Sequence, residues 1–105
     1  MGQFTVYRNR NQRTKSIFPL LVDVQSDLLE ELHTRVVIPL TKSAALARKS
    51  VSNLMPTLEF DGDTYVLVTP QLAGVVRTDL GATAGSLAAQ RQAIVAAIDF
   101  LLMGF

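Results

Sequence analysis

Leu21-Val22-Asp23-Val24-Gln25-Ser26-Asp27-Leu28-Leu29 is the stretch on which the reading of this chain turns. Val22 and Val24 alternate with Asp23 and Gln25, the period-2 pattern of a half-buried strand. Ser26 and Asp27 then supply turn chemistry, because both short side chains reach nearby backbone amides. Two leucines follow the polar corner, where a loop ordinarily stays polar. The order is strand, corner, apolar step. Asp23 and Asp27 have a spacing open to acid–base pairing, but in this setting they read as groups that cap the corner and bond backbone.

Upstream, Phe4, Val6 and Tyr7 begin a strand. Residues 8–16 are polar throughout and read as a long, mobile hairpin tip. Phe18 to Gln25 is the return strand, with Pro19 near its start, where a missing donor does least harm. Downstream, Leu28 to Leu32 forms a helical turn. Thr34 to Leu40 is the most β-branched run and reads as a central strand, with Pro39 marking an edge or bulge. Residues 43–49 favour a short helix or broken loop. Thr57 to Phe60 and Thr64 to Thr69 flank Asp61-Gly62-Asp63, a hairpin signal. Gly74 to Asp79 adds a strand, and Gly81 to Gly85 reads as a connector of small residues. The rest is one helix, N-capped by Ser86 and stopped by Gly104. Leu87, Gln90, Arg91, Ile94, Ile98 and Leu101 share one face of it. Strands followed by one helix make an α+β chain, mostly antiparallel.

At 105 residues, the chain is one domain spanning residues 1–105. A chain of this size buries only about two thirds of its unfolded surface, so a dimer would help it. Apolar residues make up 49% and charged residues 18%, rich enough in apolar surface to place part of it in an interface. Cysteine is absent, which excludes disulfides and thiolate metal sites. The N-terminus lacks a signal pattern and no apolar run spans a bilayer, so a cytoplasmic protein without membrane contact is expected. Arg8, Arg10, Arg13, Lys15, Arg35, Lys42, Arg48 and Lys49 make the first half basic, whereas Glu59, Asp61, Asp63, Asp79 and Asp99 weight the second half acidic. This asymmetry suits solvated loops better than a nucleic-acid face.

Catalytic chemistry finds little footing. His33 is the single histidine, in a polar stretch, and has no second imidazole with which to share a metal. The serines lack a nucleophile-elbow context, and no phosphate loop, dinucleotide fingerprint or zinc motif occurs. Asp61 and Asp63 around a glycine make a turn more readily than a cation site. The expectation is a non-enzyme with no cofactor and no metal. Binding is better placed. The helix ends Asp99-Phe100-Leu101-Leu102-Met103-Gly104-Phe105, apolar on all sides, and such an end must be covered by the core or by a partner.

The string VDVQSD at 22–27, followed by two aliphatics and by Val37-Ile38-Pro39-Leu40, resembles the CcdB family of toxins, which poison DNA gyrase and are neutralised by a partner antitoxin. The likeness runs end to end. Gln3-Phe4-Thr5-Val6-Tyr7 looks like the family's opening strand, Val36 to Leu40 like its third strand, and Pro56 to Asp63 like its later hairpin. Ala97 to Leu101, with Gly104 and an apolar last residue, looks like its terminal helix and tail. The resemblance implies a small SH3-like antiparallel β-barrel with an additional small sheet and a C-terminal helix, working as a homodimer. It implies a stoichiometric poison: the dimer enters the opening between two gyrase A subunits, and cleaved DNA is not resealed. DNA is met only through gyrase or the toxin–antitoxin complex. Carried across by position, the gyrase-binding residues are Leu28, Leu29, Asp99, Leu102, Met103, Gly104 and Phe105. A CcdA-like antitoxin would share Leu28 and Leu29, compete with gyrase, and meet Arg8, Arg10 and Arg13 of the basic loop.

The chain departs from the family at Met103, where the best-known members carry Trp. A tryptophan face attracts a cation by roughly 1–2 kcal/mol once desolvated, and methionine has no such quadrupole. Uncompensated, that is about tenfold in affinity. Phe105 offers an aromatic face from a different position. Two alternatives stay open: a degenerate toxin that retains antitoxin binding and operon regulation, and a messenger-RNA-cleaving ribonuclease of the same fold class.

Overall fold

The computed structural model describes residues 2–42 and 53–104. The helix or loop expected at 43–49 lies outside them. Seven strands follow in order: β1 (Thr5–Asn9), β2 (Leu20–Asp23), β3 (Thr34–Thr41), β4 (Thr57–Phe60), β5 (Asp63–Leu67), β6 (Ala73–Val76) and β7 (Leu80–Ser86). A helix, Arg91–Met103, closes the chain. The strands form one curled antiparallel sheet in the order β4-β5-β3-β2-β1-β7, and β6 branches from β3. The α+β small barrel is therefore the observed fold. The additional small sheet is hydrogen-bonded into the main one, because β3 pairs with β6 through Thr34–Val37 and with β5 through Leu40 and Thr41.

This change of partner explains Pro39. It lies opposite Leu21 in the interior of the sheet, not at an edge. Its carbonyl accepts from Val68 N at 2.9 Å, on the side where β6 has ended and β5 begins. A residue's N and O point to the same side of a strand, so the missing donor falls at that junction.

The main core lies on the concave face, where Val6, Val22, Ile38, Leu40, Leu58 and Leu67 meet Ile94 and Ala97 of the helix. A smaller apolar cluster, Tyr7, Leu21, Val37 and Leu80 with Val75, covers the other face. Both faces of β2 are thus buried, and the half-buried strand read from its alternation is buried throughout.

The hairpin at Asp61-Gly62 forms as expected, with Phe60 opposite Asp63 and both turn residues at positive φ, 52° and 83°. Two expectations need correction. Gly81 to Gly85 is not a connector: it lies within β7 and pairs with β1 through two register shifts. Small residues are required there, because a Cβ on Gly81 would stand 2.7 Å from the Arg8 carbonyl oxygen. One on Gly85 would stand 2.8 Å from the Phe60 ring. Ser86 does not cap the α-helix: it ends β7, its hydroxyl accepts from Ala88 N at 3.1 Å, and a 3-10 turn, Ala88–Gln90, intervenes before the helix begins at Arg91.

β4 and β7 end the sheet and do not hydrogen-bond to each other. The Phe60 ring of β4 rests over Gly85 of β7, and Gln90 clamps the free edge. Its amide nitrogen donates to Glu59 O at 2.6 Å and its oxygen accepts from Glu59 N at 3.3 Å. A side-chain amide thus stands in for a neighbouring strand, which covers an otherwise exposed edge.

Candidate functional site

The corner after β2 is built on buried charge. Asp23 and Arg35 are both fully buried, and Arg35 Nε and Nη2 each lie 2.7 Å from Asp23 Oδ2. Asp23 Oδ1 accepts from Gln25 N at 2.9 Å, the backbone use expected of it. Register explains the ion pair. Asp23 faces Val37 across β2 and β3, so Arg35, two residues along, projects on the same face. Sequence reasoning counted Arg35 among the solvated basic residues and missed this. The signal was there: a lone charge inside the most β-branched run, opposite a strand that carries an inward acid.

Gln25 extends the network. Its Nε2 donates to Leu29 O at 2.9 Å, and its Oε1 accepts from Val36 N at 3.0 Å. Ser26 Oγ accepts from Leu28 N, which sets off the 3-10 turn Asp27–Leu29. Asp27 Oδ1 accepts from Gln3 N at 2.7 Å. On this tethered turn Leu28 is 94% exposed and Leu29 48%. Apolar side chains this open on a turn held at both ends have no cover among the described residues.

The second exposed apolar segment is the end of the helix. Ile94 and Ala97 are buried and Ile98 packs on the core, but Leu102 is 71% and Met103 64% exposed. Asp99 and Leu101 are exposed as well. The face read from periodicity holds for Ile94 and Ile98 and not beyond: Leu101 and Arg91 turn to solvent, and Gln90 turns to β4. Gly104 stops the helix in the left-handed conformation, φ 80°, with its N–H on Phe100 O at 2.9 Å. Nothing lies within 4 Å of where a Gly104 Cβ would sit. Phe105 lies outside the described residues. Val24, next to the corner, and Ile98, next to the exposed helix end, pack on the same core cluster.

Arg8, Arg10 and Arg13 are exposed on the β1–β2 hairpin. Its tip, read as mobile, is stitched by hydrogen bonds. Asn9 Nδ2 donates to Thr14 Oγ1 and to Phe18 O, and Asn11 Oδ1 accepts from Arg13 N. Arg10 Nη1 donates to Thr78 O at 3.2 Å. Arg10 also lines a groove of about 440 Å³ floored by Leu21, Val37 and Val75; neither Leu28 nor Leu29 reaches it. The two parts of the expected antitoxin site are therefore on separate features. Lys42 pairs with Asp63 at 3.0 Å, and that carboxylate holds its ammonium above the usual lysine range. His33 is exposed. Among the described residues no group of three His, Cys, Asp or Glu side chains could hold a metal, and no helix is long and apolar enough to cross a membrane.

These features can grip a partner through apolar and backbone contacts. The sequence profile of a protein family described as "CcdB protein" matches residues 3–104, nearly the full 105 residues. The chain belongs to the CcdB family and is a toxin of a toxin–antitoxin system.

Proposed function

We propose that this protein is a gyrase poison that acts by binding and has no enzymatic activity of its own. The observation that carries this reading is the exposure of Leu28, Leu102 and Met103, apolar side chains at the positions the family uses to hold the gyrase A subunit. Leu29, Asp99, Gly104 and Phe105 complete the proposed surface. Two copies related by a two-fold axis would offer two such surfaces to the two gyrase A subunits. Preference for the open, cleaved state then keeps the DNA break from closing. A CcdA-like antitoxin would cover Leu28 and Leu29, extend to Arg8, Arg10 and Arg13, and exclude gyrase by competition. Folding of a disordered antitoxin segment on this surface suits the wide separation of these residues.

Calorimetry of the purified protein with the dimerisation domain of gyrase A tests the reading, with Gly104→Glu alongside. The space around Gly104 is open, but its φ of 80° strains any side chain, so Gly104→Ala, which carries the same strain without the charge, is the control and should lose far less affinity. Tight binding that drops at least a hundredfold in Gly104→Glu is expected, equivalent to about 3 kcal/mol. Absence of binding by the parent protein would sink the proposal and favour the antitoxin-binding, degenerate toxin.

A further inference from the structure

We propose that Gln25 is a positioning residue whose side-chain amide holds the Asp27–Leu29 turn in the conformation that presents Leu28 and Leu29. The inference rests on the reading that these leucines meet a partner, but its structural half stands on its own.

The turn is fastened on two sides. On the inner side, the Asp23–Arg35 ion pair fixes Asp23, and Asp23 Oδ1 fixes the Gln25 backbone. The Gln25 side chain, only 6% exposed, then bridges two segments distant in the chain: it donates to Leu29 O and accepts from Val36 N of β3. On the outer side, Asp27 Oδ1 receives the Gln3 amide, and Gln3 Nε2 donates to Val24 O. Gln3 is aimed there by Phe4, a bulky residue at φ 71°, a conformation that disfavours side chains with a Cβ. Backbone strain of that kind persists where the surroundings enforce it, and it collects at functional surfaces.

Leu28 therefore sits between two tethered neighbours, Asp27 and Leu29, while its own side chain touches little. Fixing such a turn in advance lowers the ordering cost that binding would otherwise carry. A glutamine serves here because it both donates and accepts, and the site offers one carbonyl and one N–H. The network explains why a fully buried charge pair lies directly beneath an apolar surface turn.

Gln25→Met, of similar length but without hydrogen bonds, tests this, with Leu67→Ala, in the main core where β5 pairs with the far end of β3, as a control for lost stability. Amide hydrogen exchange of the free protein and calorimetry with the gyrase A dimerisation domain are the readouts. In Gln25→Met, exchange at Val36 and through residues 28–32 should rise at least tenfold over the parent, with β1 and β2 unchanged. Gyrase affinity should fall about tenfold, the effect of one or two lost hydrogen bonds. Leu67→Ala should lower Tm by at least as much and leave affinity unchanged. Asp27→Ala, at an exposed position, cuts the outer tether without touching the core and should raise exchange at Leu28 and Leu29 even if Gln25→Met does not fold. Unaltered protection of these amides in both variants overturns the inference, as does equal weakening by Leu67→Ala. If the parent protein itself does not bind gyrase, the functional proposal fails, and exchange still decides whether Gln25 sets the turn.

Discussion

Burying the Arg35 guanidinium beside Asp23 takes two full charges out of water, and their contact at 2.7 Å offsets that cost only while both remain. Arg35→Ala leaves a lone carboxylate in a dry site and is expected to cost about 3–5 kcal/mol in urea unfolding. Replacing both partners, Asp23→Leu with Arg35→Met, should cost far less, because Arg35 Nη1 has no hydrogen-bond partner among the described residues and the pair is incompletely satisfied. Equal losses in the single and double variants would show that the pair is not the source of the effect. Tyr7 lies beside the same pair. Burial pushes its phenol above the usual tyrosine range, the Asp23 carboxylate adds to this, and Arg35, the Thr5 hydroxyl and Arg77 pull it back. The folded-state value exceeds the unfolded value near ~10. Stability linked to Tyr7 is thus fully present below that pH and lost as pH rises through the folded value. Tyr7→Phe should flatten the alkaline decline in unfolding free energy; an identical decline in both proteins would refute the assignment.

Among the elements, those with local signals were legible. Asp61-Gly62 announces its hairpin because two consecutive positive φ angles suit so few residues. The helix over residues 91–103 follows from alanine-rich propensity and a glycine stop. β7 was not legible. Gly81, Ala82, Ala84 and Gly85 have poor strand propensity, and the two glycines are small because a backbone oxygen and a ring of distant strands stand against them. Gly81→Ala should accordingly destabilise by about 1–3 kcal/mol, since the atom in the way is the Arg8 carbonyl and cannot swing aside. A melting curve that matches the parent would mean β7 yields more easily than its contacts imply. The candidate site divides in the same manner. The polar corner and the apolar tail could be read directly, because exposed leucines after turn residues break a local rule. The roles of Gln25 and Gln90 were hidden, because each is defined by a partner brought in by the sheet, whereas Arg35 left a trace as a charge inside the most β-branched run.

At the scale of the whole molecule, the apolar surface left open at the helix end and at the corner is large for so short a chain. The proposed homodimer adds stability to a chain this short while leaving that surface open to gyrase. Sedimentation should find the dimer at micromolar concentration, and its unfolding free energy should grow by about 1.4 kcal/mol per mole of dimer for each tenfold rise in protein concentration. A monomer with concentration-independent melting would remove the dimer from the mechanism.

The curled sheet closes through one aromatic ring set on a glycine and one glutamine laid along a strand edge, where a full barrel would have a ladder of backbone bonds. Such a closure behaves as a latch. Its release would leave every strand pairing in place: β4 stays on β5, β5 stays on β3, and Ile94 and Ala97 keep the helix in the core. The helix is 13 residues long, a stiff lever of about 20 Å with the latch at its root and the apolar tail at its tip. Ile94 and Ala97, buried between the two ends, set that lever in the core, so the seal at one end and the grip at the other share one rigid element.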